Sequence, residues 1–221
     1  MISVSQALNR RRSIRSFTDQ PVARATIEQI LATARLAPSG GNIQPGFCHV
    51  LSDTALSSLV ERLQVAARQQ DFQPTYQYYP EPLSAPYKKR VMGAAKALYA
   101  SLAIDRLDKH QRLAQQLRNY AFHGAPVGII VTIDKQLAAG SWVDLGAFIQ
   151  SIMLLATEQG LATCAIGALA PLDHVIKQQL ALPDNQQTFC GIALGYASDH
   201  PVNSTATSRI ALSEFSQFYS D

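Results

Sequence analysis

Read as a helix, Val143–Gln159 is apolar on most of its circumference, and such a helix must be covered on nearly every side. The apolar stretch around it, Trp142–Ala156, is broken by Asp144, Gln150 and Ser151 and is too short to span a membrane. Its cover must therefore be protein: a sheet on one side and, on the other, more chain or a second subunit. Strands for that sheet are legible. Val127–Ile133 is a continuous run rich in β-branched residues, which suits a buried strand. Phe47–Leu51, Thr163–Leu169 and Thr188–Leu194 complete the set.

Helical patterning fills the intervals. Ser3–Arg10 reads as a short helix, and Thr26–Ala37 carries Ile27, Ile30, Leu31 and Ala34 at helical spacing. Further helices are expected over Thr54–Gln69, Val91–Arg106, Lys109–Asn119 and Pro171–Leu182. The segment Gln70–Lys89 differs, with four prolines, four tyrosines (Tyr76, Tyr78, Tyr79, Tyr87) and no clear period. A long irregular loop in a compact domain is usually functional or mobile. At 221 residues, with no internal repeat, the chain reads as one domain over 1–221 with this excursion at 70–90 as a candidate lid. A packed structural excursion accounts for the same pattern equally well.

Composition excludes several classes. A formal charge of +3, without basic residues interleaved with aromatics, gives no case for nucleic acid. Three dispersed cysteines (Cys48, Cys164, Cys190) suggest neither a disulfide framework nor a zinc site, and no metal is expected. Met1–Asn9 lacks a charged start followed by an apolar core, so the default expectation is a cytoplasmic protein with no membrane partner. A charged fraction of only 16% hints that a partner subunit covers some surface.

Four constellations could carry chemistry. In Arg11-Arg12-Ser13-Ile14-Arg15-Ser16-Phe17, fork-shaped cationic donors and a compact hydroxyl suit a phosphate; an exposed basic turn would look the same. In Pro38-Ser39-Gly40-Gly41-Asn42-Ile43-Gln44-Pro45, the glycines let backbone approach a ligand. Ser39, Asn42 and Gln44 offer donors and acceptors to an amide-rich heterocycle, although an ordinary helix-ending loop has the same composition. Gly160-Leu161-Ala162-Thr163-Cys164-Ala165-Ile166-Gly167-Ala168 could present backbone N–H groups to a flat ring, or simply connect two elements tightly. Last come Gly195-Tyr196, Asn203 and Arg209 in a polar tail, the arginine being either a phosphate ligand or a surface residue.

Taken in this order, from Arg11 to Arg209, the four pieces resemble the nitroreductase family. The resemblance extends to Tyr78-Tyr79-Pro80, Tyr87 with Lys88-Lys89-Arg90, and Asn119-Tyr120 through Gly124-Ala125-Pro126-Val127. It implies an α+β fold, with a central, mostly antiparallel sheet flanked by helices, and an intertwined homodimer binding two FMN at the subunit interface. Carried over, Arg11 and Ser13 would hold the FMN phosphate with Arg209, and Arg12 would lie in the same wall. Arg15 would reach the pyrimidine edge. Pro38, Ser39, Gly40, Asn42 and Gln44 would come from the neighbouring subunit. Ala165, Ile166 and Gly167 would present backbone to flavin N5, and Asp144 a polar contact at the flavin edge. Tyr79 and Phe122 are candidate substrate contacts, Phe122 being as readily a core residue.

The implied activity is hydride transfer from NAD(P)H through flavin N5 to small electron-poor acceptors (nitroaromatics, quinones, enones) by a ping-pong mechanism. No catalytic side chain is expected, because the cofactor carries the chemistry. A dehalogenase-like or flavin-degrading enzyme of the same fold, or a non-catalytic flavin-binding redox sensor, is the alternative. Three positions depart from the family pattern: Gly46 in place of a tryptophan, Ala165-Ile166-Gly167 in place of Pro-Gln-Gly or Pro-x-Glu-Gly, and Thr207 in place of a phosphate-binding lysine.

Overall fold

In a computed structural model describing residues 2–220, strand β2 (Val127–Asp134) lies inside the sheet and is buried along all but its last residue. Its alternating side chains feed two cores, as the period of two in a strand requires. Val127, Ile129, Val131 and Ile133 face one side, where they meet Ile27 and Ile30 of α2 (Arg24–Ala34) and Leu145, Ile149 and Ile152 of α6 (Ala139–Glu158). Ile130 faces the other, with Leu56, Leu59 and Leu63 of α3 (Asp53–Gln69) and Ile176 of α7 (Asp173–Leu180). The sheet order is β1-β2-β4-β3, antiparallel throughout, with β1 at Gly46–Ser52, β3 at Ala162–Ile166 and β4 at Gln186–Gly195. Helices on both faces of an antiparallel sheet make this the expected α+β architecture.

The remaining helices are α1 (Val4–Arg10), α4 (Ala85–Ser101), α5 (Lys109–Leu117) and the single turn α8 (Leu212–Phe215). Ser3 and Gln6 close a reciprocal capping box on α1, which fixes where that helix starts. Four boundaries differ notably from the sequence expectation. Helix α4 begins at Ala85, not Val91, because Pro86 suits a first helical turn, and it ends at Ser101 rather than Arg106. The strand expected over Thr163–Leu169 stops at Ile166, where the chain turns into a 3-10 segment, Gly167–Leu172. That segment contains Pro171, so α7 starts at Asp173.

Helix α6 corrects a further expectation. It has 20 residues, long and apolar enough by length and composition to cross a membrane. Leu145, Ile149, Ile152 and Ala156 nevertheless seat one face of it in the core beneath the sheet. The opposite face is open, with Val143 75% exposed. The exposed residues all lie in the N-terminal half of the helix, which one chain leaves partly uncovered.

Gly46 lies where β1 passes closest to α6. A Cβ there would fall 2.6 Å from Leu145 Cδ1 and 3.0 Å from Phe148 Cδ1, so any side chain must push these α6 side chains out of place. Gly46→Ala is therefore expected to destabilise the fold by about 1–3 kcal/mol through overpacking, read as a lowered Tm. An unchanged Tm would mean that α6 yields freely.

Candidate active site

The Arg11–Arg15 run is laid along the free edge of β3. Ser13 bridges Thr163, and Ile14 N–H donates to Thr163 O at 3.0 Å. Downstream, Thr18 N–H donates to Tyr196 O at 2.9 Å, and Phe17 bridges Ala197. The N-terminal arm is thereby fixed to the ends of both β3 and β4.

One side chain does much of the fixing. Asn203 Oδ1 accepts from Arg15 N–H (2.8 Å) and Ser16 N–H (3.1 Å), while its Nδ2 donates to Ser16 O (2.8 Å) and Ser198 O (2.9 Å). Arg118 adds Nη2 contacts to the carbonyls of Arg15 (3.2 Å) and His123 (3.0 Å). Neither residue is assigned a role by sequence reasoning. Their partners are mostly distant in the chain, and a lone amide or guanidinium carries no local signature.

Among the described residues no salt bridge engages Arg10, Arg11, Arg12 or Arg15. Arg11, Ser13 and Arg15 are half-buried, while Arg12 is exposed. Beneath them lies the thiol of Cys164, pushed up by burial against the opposing pull of Arg15 and Arg11. The alternation that turns Thr163 O toward the arm also turns the backbone of Ala165 to the same open edge. Ile166 and Gly167 follow directly, Ile166 with its side chain buried. The substitutions Ala165-Ile166-Gly167 thus leave backbone, not side-chain polarity, to serve this edge.

The Tyr-rich segment closes over Gly167. A Cβ on Gly167 would sit 3.1 Å from Tyr78 Cε2. Tyr78 and Tyr79 form an edge-on pair, with ring centroids 4.7 Å apart. Together with Thr75, Tyr76, Ala168, Ala170 and Pro171 they line a cavity of about 370 Å³. The segment is anchored at one end: Tyr76 donates its hydroxyl to Phe189 O at 2.7 Å, stacks on Phe189, and packs edge-on against Trp142. Tyr78 and Tyr79, by contrast, are 61% and 50% exposed.

The loop Pro38–Gln44 stands apart. Its hydrogen bonds are internal, as from Gln44 N–H to Ser39 Oγ (3.0 Å), or run from Gly40 N–H to Asp144 Oδ2 (3.1 Å). Asp144 is thus the residue that ties this loop to α6. Gly41 and Asn42 both have φ of +57° and Gln44 +49°, so the loop presents its polar edges outward in left-handed conformations. Arg209 is also separate. It donates to Thr207 and Ser208 and lines a second groove beside Lys89 and Arg90. Phe122 is fully buried over Gly128 and Gly191, which places it in the core, the second of its two expected roles.

His123, next to Phe122, is 2% exposed, and among the described residues neither ring nitrogen has a partner. Burial, reinforced by Arg15 and Arg118, pushes its pKa down to about 3 from 6.5. The unfolded chain binds this proton below 6.5 and the folded chain does not until about 3, so folded stability falls as pH drops across that window. From about pH 7 to pH 5 the wild type is expected to lose about 2 kcal/mol at this residue alone. His123→Phe should abolish that loss in denaturant titrations at the two pH values. Equal acid sensitivity in both proteins would show that His123 is not buried neutral.

Comparison with known proteins gives this arrangement a setting. A model of the nitroreductase family matches residues 8–196. A 4-nitrobenzoate reductase of Pseudomonas putida is 37% identical over 209 residues, 94% of this chain and 92% of its own. A nitrobenzene nitroreductase of Ectopseudomonas oleovorans is 34% identical over 97% and 96% of the two chains. The structure of NfnB from Sphigopyxis sp. strain HMH, an FMN and NADPH-dependent nitroreductase, matches with a TM-score of 0.96 at 38% identity, covering 100% of both chains. The FMN-dependent nitroreductase NfnB from Mycobacterium smegmatis, in complex with NADPH, matches with a TM-score of 0.93 at 27% identity, over 99% and 100% of the chains.

Proposed function

The chain belongs to the nitroreductase family, and on that premise we propose that it is an FMN-dependent oxidoreductase that spends NAD(P)H on the reduction of nitroaromatic acceptors. The observation that carries the reading is the uncompensated Arg11–Arg15 run, pinned to the open edge of β3 beside Gly167. Its donor set fits FMN. Arg11 and Ser13 supply a charged fork and a hydroxyl for a phosphate dianion. Arg15 supplies a cation for the pyrimidine edge, and the backbone of Ala165–Gly167 a donor edge for N5. When bound, FMN supplies the two-electron chemistry, taking hydride from the nicotinamide and passing it to the acceptor.

The chain's own residues bind, orient and exclude water. Asn203 and Arg118 hold the backbone beneath Arg15, so its charge is already in place and needs no reorganisation. Tyr78 and Tyr79 wall a cavity suited to flat, apolar rings with a polar substituent. Nicotinamide and acceptor compete for that single cavity, which gives ping-pong kinetics; quinones and enones are further acceptors of suitable shape.

The open face of α6 supports a second subunit. Val143, with Val4 and Leu8 of α1 and Val50 of β1, leaves apolar surface uncovered, more than scattered single residues would account for. In a homodimer through these faces, Pro38, Ser39, Gly40, Asn42 and Gln44 would complete the flavin site of the partner. Flavin retention then depends on dimerisation, and a monomer holding stoichiometric FMN would contradict the shared site.

Arg11→Ala is expected to weaken FMN binding by about 1.5–3 kcal/mol, the loss of one charge-assisted contact, measured by flavin fluorescence on titrating the apoprotein. If neither Arg11→Ala nor Arg209→Ala changes the FMN Kd, the phosphate assignment fails. Activity is checked by following NADPH and NADH oxidation with 4-nitrobenzoate or nitrobenzene. FMN-loaded protein that oxidises neither donor with any nitroaromatic would overturn the function.

A further inference from the structure

Every side chain lining the cavity over Gly167 is uncharged: three tyrosines, two alanines, a threonine and a proline. The cations that would hold FMN lie elsewhere. Arg11 and Arg15 stand with Ser13 around the Cys164 thiol at the edge of β3, and Arg209 lines the second groove. None of them is in the wall of this cavity. Its hydroxyls are neutral as well. Tyr76 commits its proton to Phe189 O at 2.7 Å. Burial, followed by the neighbouring Tyr79, raises the Tyr78 hydroxyl above the ordinary tyrosine range, so it stays protonated at neutral pH. Thr75 is exposed at the wall, where its hydroxyl and those of Tyr78 and Tyr79 offer hydrogen bonds without charge.

That chemistry discriminates between guests. A neutral nitro group carries only partial charge on its oxygens, and a hydroxyl donor satisfies it. An ionised carboxylate that leaves water for a wall without a counter-charge loses far more than hydroxyls return. The wall is open on its outer side, with Tyr78 and Tyr79 largely exposed, so solvent moderates this penalty without removing it. Sequence similarity does not choose between the two kinds of acceptor, since relatives named for an anionic and for a neutral nitroarene match the chain about equally. The cavity does. We propose that it selects its acceptor by charge, taking neutral nitroarenes and discriminating against nitroarenes that carry a carboxylate. Thr75 is the position that sets the selectivity, for a cation there would supply the counter-charge that the wall lacks. The inference rests on the reductase reading above and names the acceptor class of the same cavity.

The test compares 4-nitrobenzamide with 4-nitrobenzoate on the FMN-loaded protein, two acceptors of nearly the same shape that differ in charge. Their kcat/KM ratio is divided by the ratio of their rates with free reduced FMN, which removes the intrinsic difference in electron affinity. The corrected ratio is expected to favour the amide by about tenfold or more. In Thr75→Lys it is expected to fall about tenfold toward the acid. Calorimetry with benzamide and benzoate, which carry no nitro group, gives a readout independent of turnover: benzamide should bind the wild type about tenfold more tightly. Equal corrected values for the two acceptors, or tighter binding of benzoate, overturn the proposal and leave the reductase reading intact. A ratio unmoved by Thr75→Lys overturns the assignment to this wall. Protein that reduces neither acceptor sinks the reductase reading, and the benzamide–benzoate pair then decides charge selection by itself.

Discussion

The sheet and the outward loop of this fold both rest on helix α6, one face of which its own chain leaves partly open. Helix α6 buries Leu145, Ile149, Ile152 and Ala156 beneath the sheet and leaves its other face, with Val143, to the outside. Gly46 lets β1 run against it without a side chain between them, and Asp144 on the same helix holds Gly40 at the head of the outward loop. Packing, exposed apolar surface and the polar loop therefore share one element.

A second constraint is electrostatic. Among the described residues the cations of the N-terminal arm have no carboxylate partners, so their backbone must be held by something other than ion pairing. Asn203 supplies it, with both donors and its acceptor oxygen committed to main-chain groups of Arg15, Ser16 and Ser198. Buried neutral His123 fits the same logic, since Arg15 and Arg118 disfavour a further charge beside them. The arm is thus a rigid support with free positive charge at its surface, a preorganised receptor for an anion.

The strands and long helices were legible because periodicity encodes which face is buried: β2 and α2 show it directly. Boundaries were less so. The preference of Pro86 for a first helical turn moved α4 forward, and the 3-10 turn from Gly167 to Leu172 looks apolar enough in sequence to pass for more strand. Arg11, Ser13, Arg15 and Ala165–Gly167 were found together along one edge because they form two short local motifs. Phe122 misled because an aromatic beside a family-like Gly-Ala-Pro run is as easily a core plug for Gly128 and Gly191 as a substrate contact. Asn203 and Arg118 could not be read, since their value lies in partners brought together only by the fold.

The Tyr-rich excursion shows how a loop can be both structural and functional. Tyr76 is sunk into the aromatic cluster with Phe189 and Trp142, and burial raises its hydroxyl above the ordinary tyrosine range. Tyr78 and Tyr79, two and three residues on, sit at the cavity mouth in mutual contact and largely open to solvent. Tyr78 lies against Gly167, so the open end of the segment meets the same edge of β3 that the arginine run frames.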